Sequence, residues 1–310
     1  MTQRVLVIGA AGMIGRKLTA RLLKEGVGEL IQHDVVPFGE CIVSDLSTPG
    51  EADKLIARRP DLIFHLAAIV SGEAEADFEK GYRVNLDGTR LLFEAIRKVG
   101  DGYKPKLVFT SSIAVFGAPF PDAIGDEFLN APLTSYGTQK AIGELLLSDY
   151  TRRGFFDGIG IRLPTICVRP GKPNKAASGF FSGILREPLS GQEAVLPVPD
   201  SVRHWFASPR AAIEFLIHAS KINTELLGTR RNLSMPGLSC TVAEQIAALG
   251  RVAGDKATRL IRREPDQTIM RIVEGWPRNF DARRALSLGF RPDPSFDDII
   301  RFHQQDELGR

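Results

Sequence analysis

Strand-like and helix-like segments alternate through the first half of this sequence. Short apolar segments rich in β-branched residues and bounded by turn residues predict strands at 4–8, 29–33, 62–66, 106–110 and 158–163. Apolar residues at helical spacing predict helices at 13–25, 50–58, 76–99 and 134–153. Such alternation predicts an α/β fold, with helices on both faces of a doubly wound parallel sheet.

A glycine loop stands between the first predicted strand and the first predicted helix. It runs from Gly9 through Gly12, Met13 and Ile14 to Gly15, and Arg16–Glu25 continues with helical spacing. Glycines there allow a tight turn and a close approach of the backbone to a pyrophosphate, and the helix N-terminus attracts the phosphates. A plain glycine-rich turn is the alternative. The flanking strand and helix favour a Rossmann-type cofactor site made by these five residues.

Asp34 ends the second predicted strand, 19 residues after Gly15. An acidic residue about 20 residues beyond such a loop is where a ribose 2′-hydroxyl is held. Because a carboxylate repels a 2′-phosphate, Asp34 predicts NAD rather than NADP as the cofactor. The alternative for Asp34 is a plain loop residue, and Arg16 is interpreted as a solvated charge on the helix.

The composition is that of an ordinary soluble enzyme. The 310 residues are 43% hydrophobic and carry a net charge of +3 from scattered Lys and Arg, which argues against nucleic acid as a partner. No apolar run is long enough to span a bilayer, and the first residues enter a strand, so we expect no signal peptide and no membrane partner. Cys41, Cys167 and Cys240 lack metal-ligand spacing, which fits a cytoplasmic protein and predicts no metal site.

The character of the sequence changes near residue 165. Proline and glycine become frequent and the predicted elements become shorter, but no linker is long enough to separate an independent domain. We expect residues 1–165 to form the cofactor-binding domain, with a later segment at about 200–220 returning to it. Residues 166–310 are expected to form mainly a smaller substrate-binding lobe.

Tyr136 and Lys140 lie four residues apart, on one face of a predicted helix. The phenol of an isolated tyrosine has a pKa of about 10. A tyrosine that acts as a base at neutral pH therefore needs a nearby ammonium to lower this pKa. The segment Thr110–Ser112, at the end of the fourth predicted strand, is well placed to supply a hydroxyl for the substrate oxygen. A surface Tyr and Lys on an amphipathic helix is the alternative. Together with the glycine loop, the tyrosine, the lysine and these hydroxyls favour hydride chemistry on an alcohol or ketone.

These motifs resemble those of the extended short-chain dehydrogenase/reductases, the NAD-dependent epimerase/dehydratase family. Matching segments occur at 9–15, 45–46, 65–68, 84–89, 111–117, 136–140 and 280–292. The resemblance implies Ser112, Tyr136 and Lys140 as a catalytic triad. It implies that the cofactor is NAD, held by Tyr136 and Lys140 themselves and by Asp45, Leu46, Ala67, Ala68, Asn85, Pro164 and Thr165. It also implies a homodimer that pairs the helices at 76–99 and 134–153 across a two-fold axis.

Dehydratases of the family carry an Asp-Glu pair directly after the triad hydroxyl. Ile113 and Ala114 occupy those positions here and can neither donate nor accept a proton, so water elimination is not expected. Epimerases of nucleotide sugars remain an alternative, since they need mainly the triad, retained NAD and room for the sugar to rotate. Regulatory proteins of this fold commonly lose the tyrosine or the lysine, and both are present here.

Segments at 70–77, 135–147, 162–165 and 169–174 resemble a narrower branch, the D-erythronate dehydrogenases. That resemblance implies NAD-dependent oxidation of the 2-hydroxyl of a small sugar acid to the 2-keto acid. Arg203 stands where nucleotide-sugar enzymes keep a phosphate-binding arginine, and it could clamp a carboxylate with two hydrogen bonds. Ser71 and Asn174 are further substrate candidates, with loop capping as the alternative for each.

Overall fold

The structure, a computed structural model, describes residues 3–171 and 177–310. Asn174 lies outside the described residues. The described chain divides into two compact units. The first unit comprises Met1–Val115, Thr134–Arg162 and Ile213–Leu233. The second unit comprises Phe116–Leu133, Leu163–Ala212 and Ser234–Arg310.

The strands follow the apolar, β-branched segments of the sequence. In chain order they are β1 Arg4–Ile8, β2 Glu29–Asp34, β3 Ile42–Val43, β4 Leu62–His65, β5 Lys106–Ser112, β6 Asp157–Leu163, β7 Thr165–Ile166, β8 Ala194–Leu196, β9 Arg203–Ala207, β10 Asn232–Ser234, β11 Leu238–Thr241 and β12 Ile261–Arg263. Residues Val5–Ile8 of β1 are wholly buried, because helices cover both faces of the sheet.

The helices connect these strands. In chain order they are α1 Met13–Lys24, α2 Glu51–Ile56, α3 Ser71–Ala76, α4 Phe78–Gly81, α5 Gly88–Val99, α6 Ser135–Arg152, α7 Gly179–Leu189, α8 Pro209–Lys221, α9 Val242–Ala253, α10 Asp255–Thr258, α11 Gln267–Glu274, α12 Arg283–Ser287 and α13 Phe296–Glu307. No helix in the described part of the chain is long and apolar enough to cross a membrane.

The main sheet has the strand order β10-β6-β5-β4-β1-β2-β3 among the described residues. Val7 of β1 lies opposite Gln32 of β2 and Phe64 of β4, and both pairings are parallel. The chain therefore proceeds from β1 to one side through β2 and β3, and to the other side through β4, β5 and β6. The prediction of a Rossmann-type, doubly wound sheet is confirmed, and β1 and β4 flank the point where ligands bind in such sheets.

The segment predicted as one helix at 76–99 differs from that prediction. Asp77 starts a new helix, because its side chain accepts a hydrogen bond from the Lys80 N–H at 3.0 Å. A π-helical turn, Tyr82–Asp87, then separates α4 from α5. Such turns change the helical register locally, and this one carries Asn85, which is buried.

The second unit has its own small sheets and core. β9 pairs antiparallel with β11 and parallel with β7, and β12 pairs parallel with β8. Its core contains Phe181 and Phe206, whose rings meet edge to face with centroids 4.9 Å apart. Phe206 in turn packs edge to face on Phe296 of α13.

Candidate active site

The glycine loop follows β1 at the carboxyl edge of the sheet. The N–H groups of Gly9 and Ala10 both donate to the His33 carbonyl, at 2.9 and 3.0 Å, which fixes the loop to the end of β2. A Cβ atom on Gly9 would lie 2.7 Å from the Ala67 nitrogen, and one on Gly15 would lie 2.0 Å from the Gly9 carbonyl oxygen. The packing of the chain itself therefore requires glycine at these two positions.

Gly12 lies in a more open environment. A Cβ atom there would lie 3.4 Å from the Gly9 oxygen, an ordinary contact, so the packing does not require glycine. Gly12 precedes α1, and no described side chain caps this helix or places an acidic group in its first turn. The N–H groups of Met13–Gly15 have no acceptor within the helix. An anion would satisfy them, and this end of α1 therefore fits the pyrophosphate of a dinucleotide.

Asp34 contacts the glycine loop directly. Its carboxylate accepts hydrogen bonds from the N–H of Ala11 at 2.8 Å and from the N–H of Val36 at 3.1 Å. A carboxylate has about four lone-pair sites, so these two bonds leave room for ribose hydroxyls. The ribose contact of Asp34 stays a prediction.

Arg16 is exposed, as expected of a solvated charge on the helix, and it also contacts the glycine loop. Its Nε donates to the Ala11 carbonyl oxygen at 2.7 Å, and its guanidinium lies 4.2 Å from the ring centroid of Phe38. The arginine therefore holds the glycine loop from the side of α1.

The other predicted cofactor residues lie near the same edge of the sheet. The Asp45 carboxylate accepts from the Ser47 N–H at 2.9 Å and from Arg83 Nη1 at 2.7 Å, and the next residue, Leu46, is buried. Ala67 and Ala68 follow β4 and are half-buried. Ala67 forms part of the wall against which the first glycine of the loop packs. The adenine and ribose contacts of these residues stay predictions.

Asn85 joins two parts of the first unit. Its Oδ1 accepts from the Ile69 N–H at 2.9 Å, and its Nδ2 donates to Gln139 Oε1 at 2.8 Å. The loop after β4 is thereby tied to α6, which carries Tyr136. These bonds give Asn85 a structural role, and its contact with the cofactor stays a prediction.

Lys140 and Tyr136 meet on α6 next to β5. The Lys140 Nζ lies 5.9 Å from the ring centroid of Tyr136 and donates to the Thr110 carbonyl oxygen at 2.9 Å. Ser112 is the last residue of β5, and its Oγ accepts from the Ala114 N–H at 3.2 Å, which leaves the hydroxyl proton for a substrate oxygen. Helix α6 packs against β5 and against the 3-10 turn that follows Ser112. The structure therefore brings the predicted base and its lysine to the strand that carries the serine.

The electrostatics favour a charged Lys140 beside the phenol at neutral pH. Burial lowers the pKa of Lys140 to about 8, and the Glu144 carboxylate opposes this shift. Burial, with a smaller contribution from Lys140, lowers the pKa of His65 to about 3. His65 is therefore neutral, and its Nε2 lies 2.9 Å from Thr89 Oγ1. An ammonium next to a phenol stabilises the phenolate form, which is the form a general base requires.

Pro164 and Thr165 belong to the second unit. Pro164 is buried, and Thr165 Oγ1 lies 2.7 Å from His204 Nε2. His204 Nδ1 lies 2.8 Å from the Pro277 carbonyl oxygen, and the imidazole stacks on Phe181. Burial lowers the pKa of His204 to about 4, which agrees with a structural role for this histidine.

Arg203 lines a pocket of about 690 Å³ in the second unit. Its Nη1 donates to the Ser239 carbonyl oxygen at 2.9 Å, and its Nη2 lies 3.2 Å from Glu244 Oε2. The other lining residues are Ala118, Phe120, Pro121, Asp122, Ile124, Ser239, Glu274, Arg278 and Asn279. Ser71 is the first residue of α3 in the first unit and is half-buried. The substrate contacts of Ser71, Asn174 and Arg203 stay predictions.

The sequence did not reveal a buried polar network beneath Lys140. Glu144 accepts from Ser111 Oγ at 2.5 Å and from Arg162 Nε at 2.8 Å. The spacing of Glu144, four residues after Lys140, was the only available signal. This spacing does not reveal that Arg162 of β6 contacts Glu144.

Comparison with known proteins agrees with this geometry. Residues 5–207 match the model of the NAD dependent epimerase/dehydratase family. D-erythronate dehydrogenase from Cupriavidus necator is 47% identical over 97% of this chain and 98% of its own length. The enzyme of the same name from Haemophilus influenzae is 42% identical over 96% of this chain and 98% of its own length.

A solved structure is also similar over nearly the whole chain. The crystal structure described as the nucleoside-diphosphate-sugar epimerase from Agrobacterium tumefaciens has a TM-score of 0.95 and 65% identity, covering 99% of this chain and 95% of that one. The family match confirms the predicted family and its cofactor, NAD. The chain belongs to the NAD-dependent epimerase/dehydratase family.

Proposed function

We propose that this protein is an NAD-dependent dehydrogenase that oxidises the 2-hydroxyl of a small sugar acid, such as D-erythronate, to the 2-keto acid. The observation that carries the proposal is the buried Lys140 ammonium, held between the Tyr136 ring and the strand that ends at Ser112. Full-length similarity to two D-erythronate dehydrogenases supports the substrate class.

In this proposal each side chain of the triad has one task. The Ser112 hydroxyl donates a hydrogen bond to the substrate oxygen and holds it beside the phenol. Tyr136 takes the hydroxyl proton as the carbonyl forms, and the Lys140 ammonium stabilises the phenolate before the transfer. NAD, when bound, supplies the acceptor for the two electrons and the hydrogen that leave the carbinol carbon. The Gly9–Gly15 loop and the N-terminus of α1 would hold its pyrophosphate, and Asp34 would hold its adenosine ribose.

Water elimination has no support in the residues around Ser112. Ile113 is buried and apolar, and Ala114 has no group that exchanges a proton. A dehydratase needs an acid and a base at these positions to remove the elements of water. The residues present therefore favour oxidation or epimerisation over dehydration.

A nucleoside-diphosphate-sugar epimerase is the second candidate function. The pocket lined by Arg203 and Arg278 has a volume of about 690 Å³. This lies within the range of about 300–1,000 Å³ for pockets that hold drug-sized ligands, which is more than a four-carbon acid needs. Two guanidinium groups suit a diphosphate, although the carboxyl groups of Asp122 and Glu274 line the same pocket. The 65% identical crystal structure carries the epimerase description.

Absorbance at 340 nm tests the two candidates together. The purified protein is mixed with NAD and a panel of four- to six-carbon sugar acids that includes D-erythronate. Accumulation of NADH with a four-carbon acid would support the dehydrogenase. No absorbance change across the panel, together with NAD that stays bound through purification and interconversion of UDP-sugars, would support the epimerase instead.

A further inference from the structure

A buried ion pair lies directly beneath the lysine of the proposed triad. Arg162 Nε donates to Glu144 Oε1 at 2.8 Å, and Arg162 Nη2 donates to Glu144 Oε2 at 2.7 Å. The side chains are only 7% and 2% exposed, respectively. Burying a charge costs free energy unless the charge is paired and hydrogen-bonded. A buried bidentate ion pair at this position therefore suggests a function beyond packing. The mechanism above uses neither residue.

The pair reaches the end of β5 through a serine. Ser111 Oγ donates to Glu144 Oε1 at 2.5 Å, while Lys140 Nζ donates to the carbonyl oxygen of Thr110 at 2.9 Å. Glu144 and Lys140 are one turn apart on α6 and hold successive residues of β5. The next strand residue is Ser112. The position of the Ser112 hydroxyl relative to α6 therefore depends on both attachments.

Glu144 also acts on the charge of Lys140. Burial lowers the pKa of Lys140, and the Glu144 carboxylate is the group that raises it again. Tyr136 on α6, Phe109 on β5 and His65 on β4 also face the ammonium. The phenyl ring does not titrate, and His65, with its pKa lowered to about 3 mainly by burial, stays neutral above pH 5.

We propose that Glu144, fixed by Arg162, is a positioning residue: it anchors Ser111 next to Ser112, and its negative charge keeps Lys140 protonated at neutral pH. The catalytic consequence rests on the proposed function. The protonation of Lys140 does not, because it can be measured in the protein without substrate or cofactor.

The test follows the Lys140 side chain itself. Protein labelled with 13C at the lysine ε-carbon is titrated by NMR, and the Lys140 signal is assigned by its loss in Lys140→Met. We expect a midpoint at about pH 8 in the unmodified protein. In Glu144→Gln the midpoint should fall by about one pH unit, and the basic limb of kcat/KM should move down with it.

Asp149→Asn is the matched control on the same helix. Asp149 pairs with Arg152 at 2.6 Å, but both side chains are more than half exposed. This substitution removes one carboxylate from α6, as Glu144→Gln does, and should leave the Lys140 midpoint and the activity profile unchanged. An unmoved midpoint in Glu144→Gln, or an equal shift in Asp149→Asn, would overturn the electrostatic part of the proposal.

Ser111→Ala removes the hydrogen bond from Ser111 to Glu144 without changing any charge, and so tests whether this bond positions Ser112. It also provides a test if Glu144→Gln does not fold. We expect a fall in kcat of about tenfold with the Lys140 midpoint still at about 8, and recovery in Ser111→Thr. Unchanged kcat in Ser111→Ala would overturn the anchoring role. If the unmodified protein oxidises no sugar acid, the proposed function fails, whereas the NMR titration still decides the role of Glu144.

Discussion

The Nζ atom of Lys140 lies 2.9 Å from the carbonyl oxygen of Thr110, two residues before Ser112. This hydrogen bond joins α6, which carries Tyr136, to the strand that presents the serine. Main-chain carbonyls of a strand are fixed by the sheet, so the ammonium has a defined place beside the phenol. The arrangement joins residues from two separate elements into one unit that can accept a proton.

Substitution of Tyr136 by Phe should lower kcat by about 10²–10⁴-fold, the usual contribution of a general base. NAD affinity, measured by calorimetry, should stay close to that of the unmodified protein because the aromatic ring remains. Tyr103→Phe is the control, since the Tyr103 hydroxyl donates to the Pro60 carbonyl oxygen at 2.6 Å and lies on another loop. Retained turnover in Tyr136→Phe would contradict the triad assignment.

The glycines of the loop should respond differently to substitution by alanine. Gly15→Ala places a Cβ atom 2.0 Å from the Gly9 oxygen, so the free energy of unfolding should fall by about 1–3 kcal/mol or more. Gly12→Ala meets only an ordinary 3.4 Å contact and should fold normally, but bind NAD at least about tenfold more weakly.

Urea denaturation and calorimetry separate these two effects. Gly125→Ala is the control for both, since a Cβ there would have nothing within 4 Å. Undiminished NAD affinity in Gly12→Ala would argue that the pyrophosphate does not approach this residue.

Replacement of Asp34 by Asn should reduce the preference for NAD over NADP by at least about tenfold, or ~1.4 kcal/mol. The amide oxygen can still accept from the Ala11 N–H, but it no longer repels a 2′-phosphate. The measurement is the ratio of kcat/KM for the two cofactors. Glu40→Gln, an exposed carboxylate in the same segment, should leave the ratio unaltered. An equal change in both variants would mean that Asp34 does not face the ribose.

The protein should lose stability when the pH falls from about 6.5 towards 4. Burial lowers the pKa of His65 to about 3 and that of His204 to about 4. In this interval the unfolded chain binds protons that the folded protein does not, so the free energy of unfolding decreases with decreasing pH. The loss should reach a few kcal/mol at pH 4.

Thermal unfolding across this pH range measures that loss. His65→Gln should flatten the dependence, because it removes a buried imidazole. A stability that does not change between pH 6.5 and 4 would contradict the burial of neutral imidazoles.

The expected homodimer predicts a contact on α6. Leu145 is a large apolar side chain on this helix, and it is 69% exposed. Leu145→Glu should shift the protein towards the monomer in light scattering after gel filtration. Leu23→Glu, on α1 and 60% exposed, is the control and should leave the mass unchanged. A monomeric unmodified protein would refute the pairing.

Some elements were predictable because their signals are local. The strand, glycine loop and helix from Arg4 to Lys24 follow one another directly in the sequence. Each has a recognisable composition: β-branched residues in the strand, glycines in the loop and apolar residues at helical spacing in the helix. The structure around Asp77 was predicted wrongly, as one uninterrupted helix. In the protein Asp77 caps the short helix α4, and a π-helical turn follows it. Strand β10 was missed because three residues carry too little periodicity to be recognised.

The sequence by itself determined the alternation of strands and helices in the first half of the chain, the glycine positions and the Tyr136–Lys140 spacing, since each depends on neighbours within one turn or one strand. Only the tertiary structure decided that Arg162 of β6 meets Glu144 of α6, and that both lie beneath Lys140. These contacts join residues that are distant along the chain. Burial then sets their charges, and burial is a property of the packed protein that no local pattern contains.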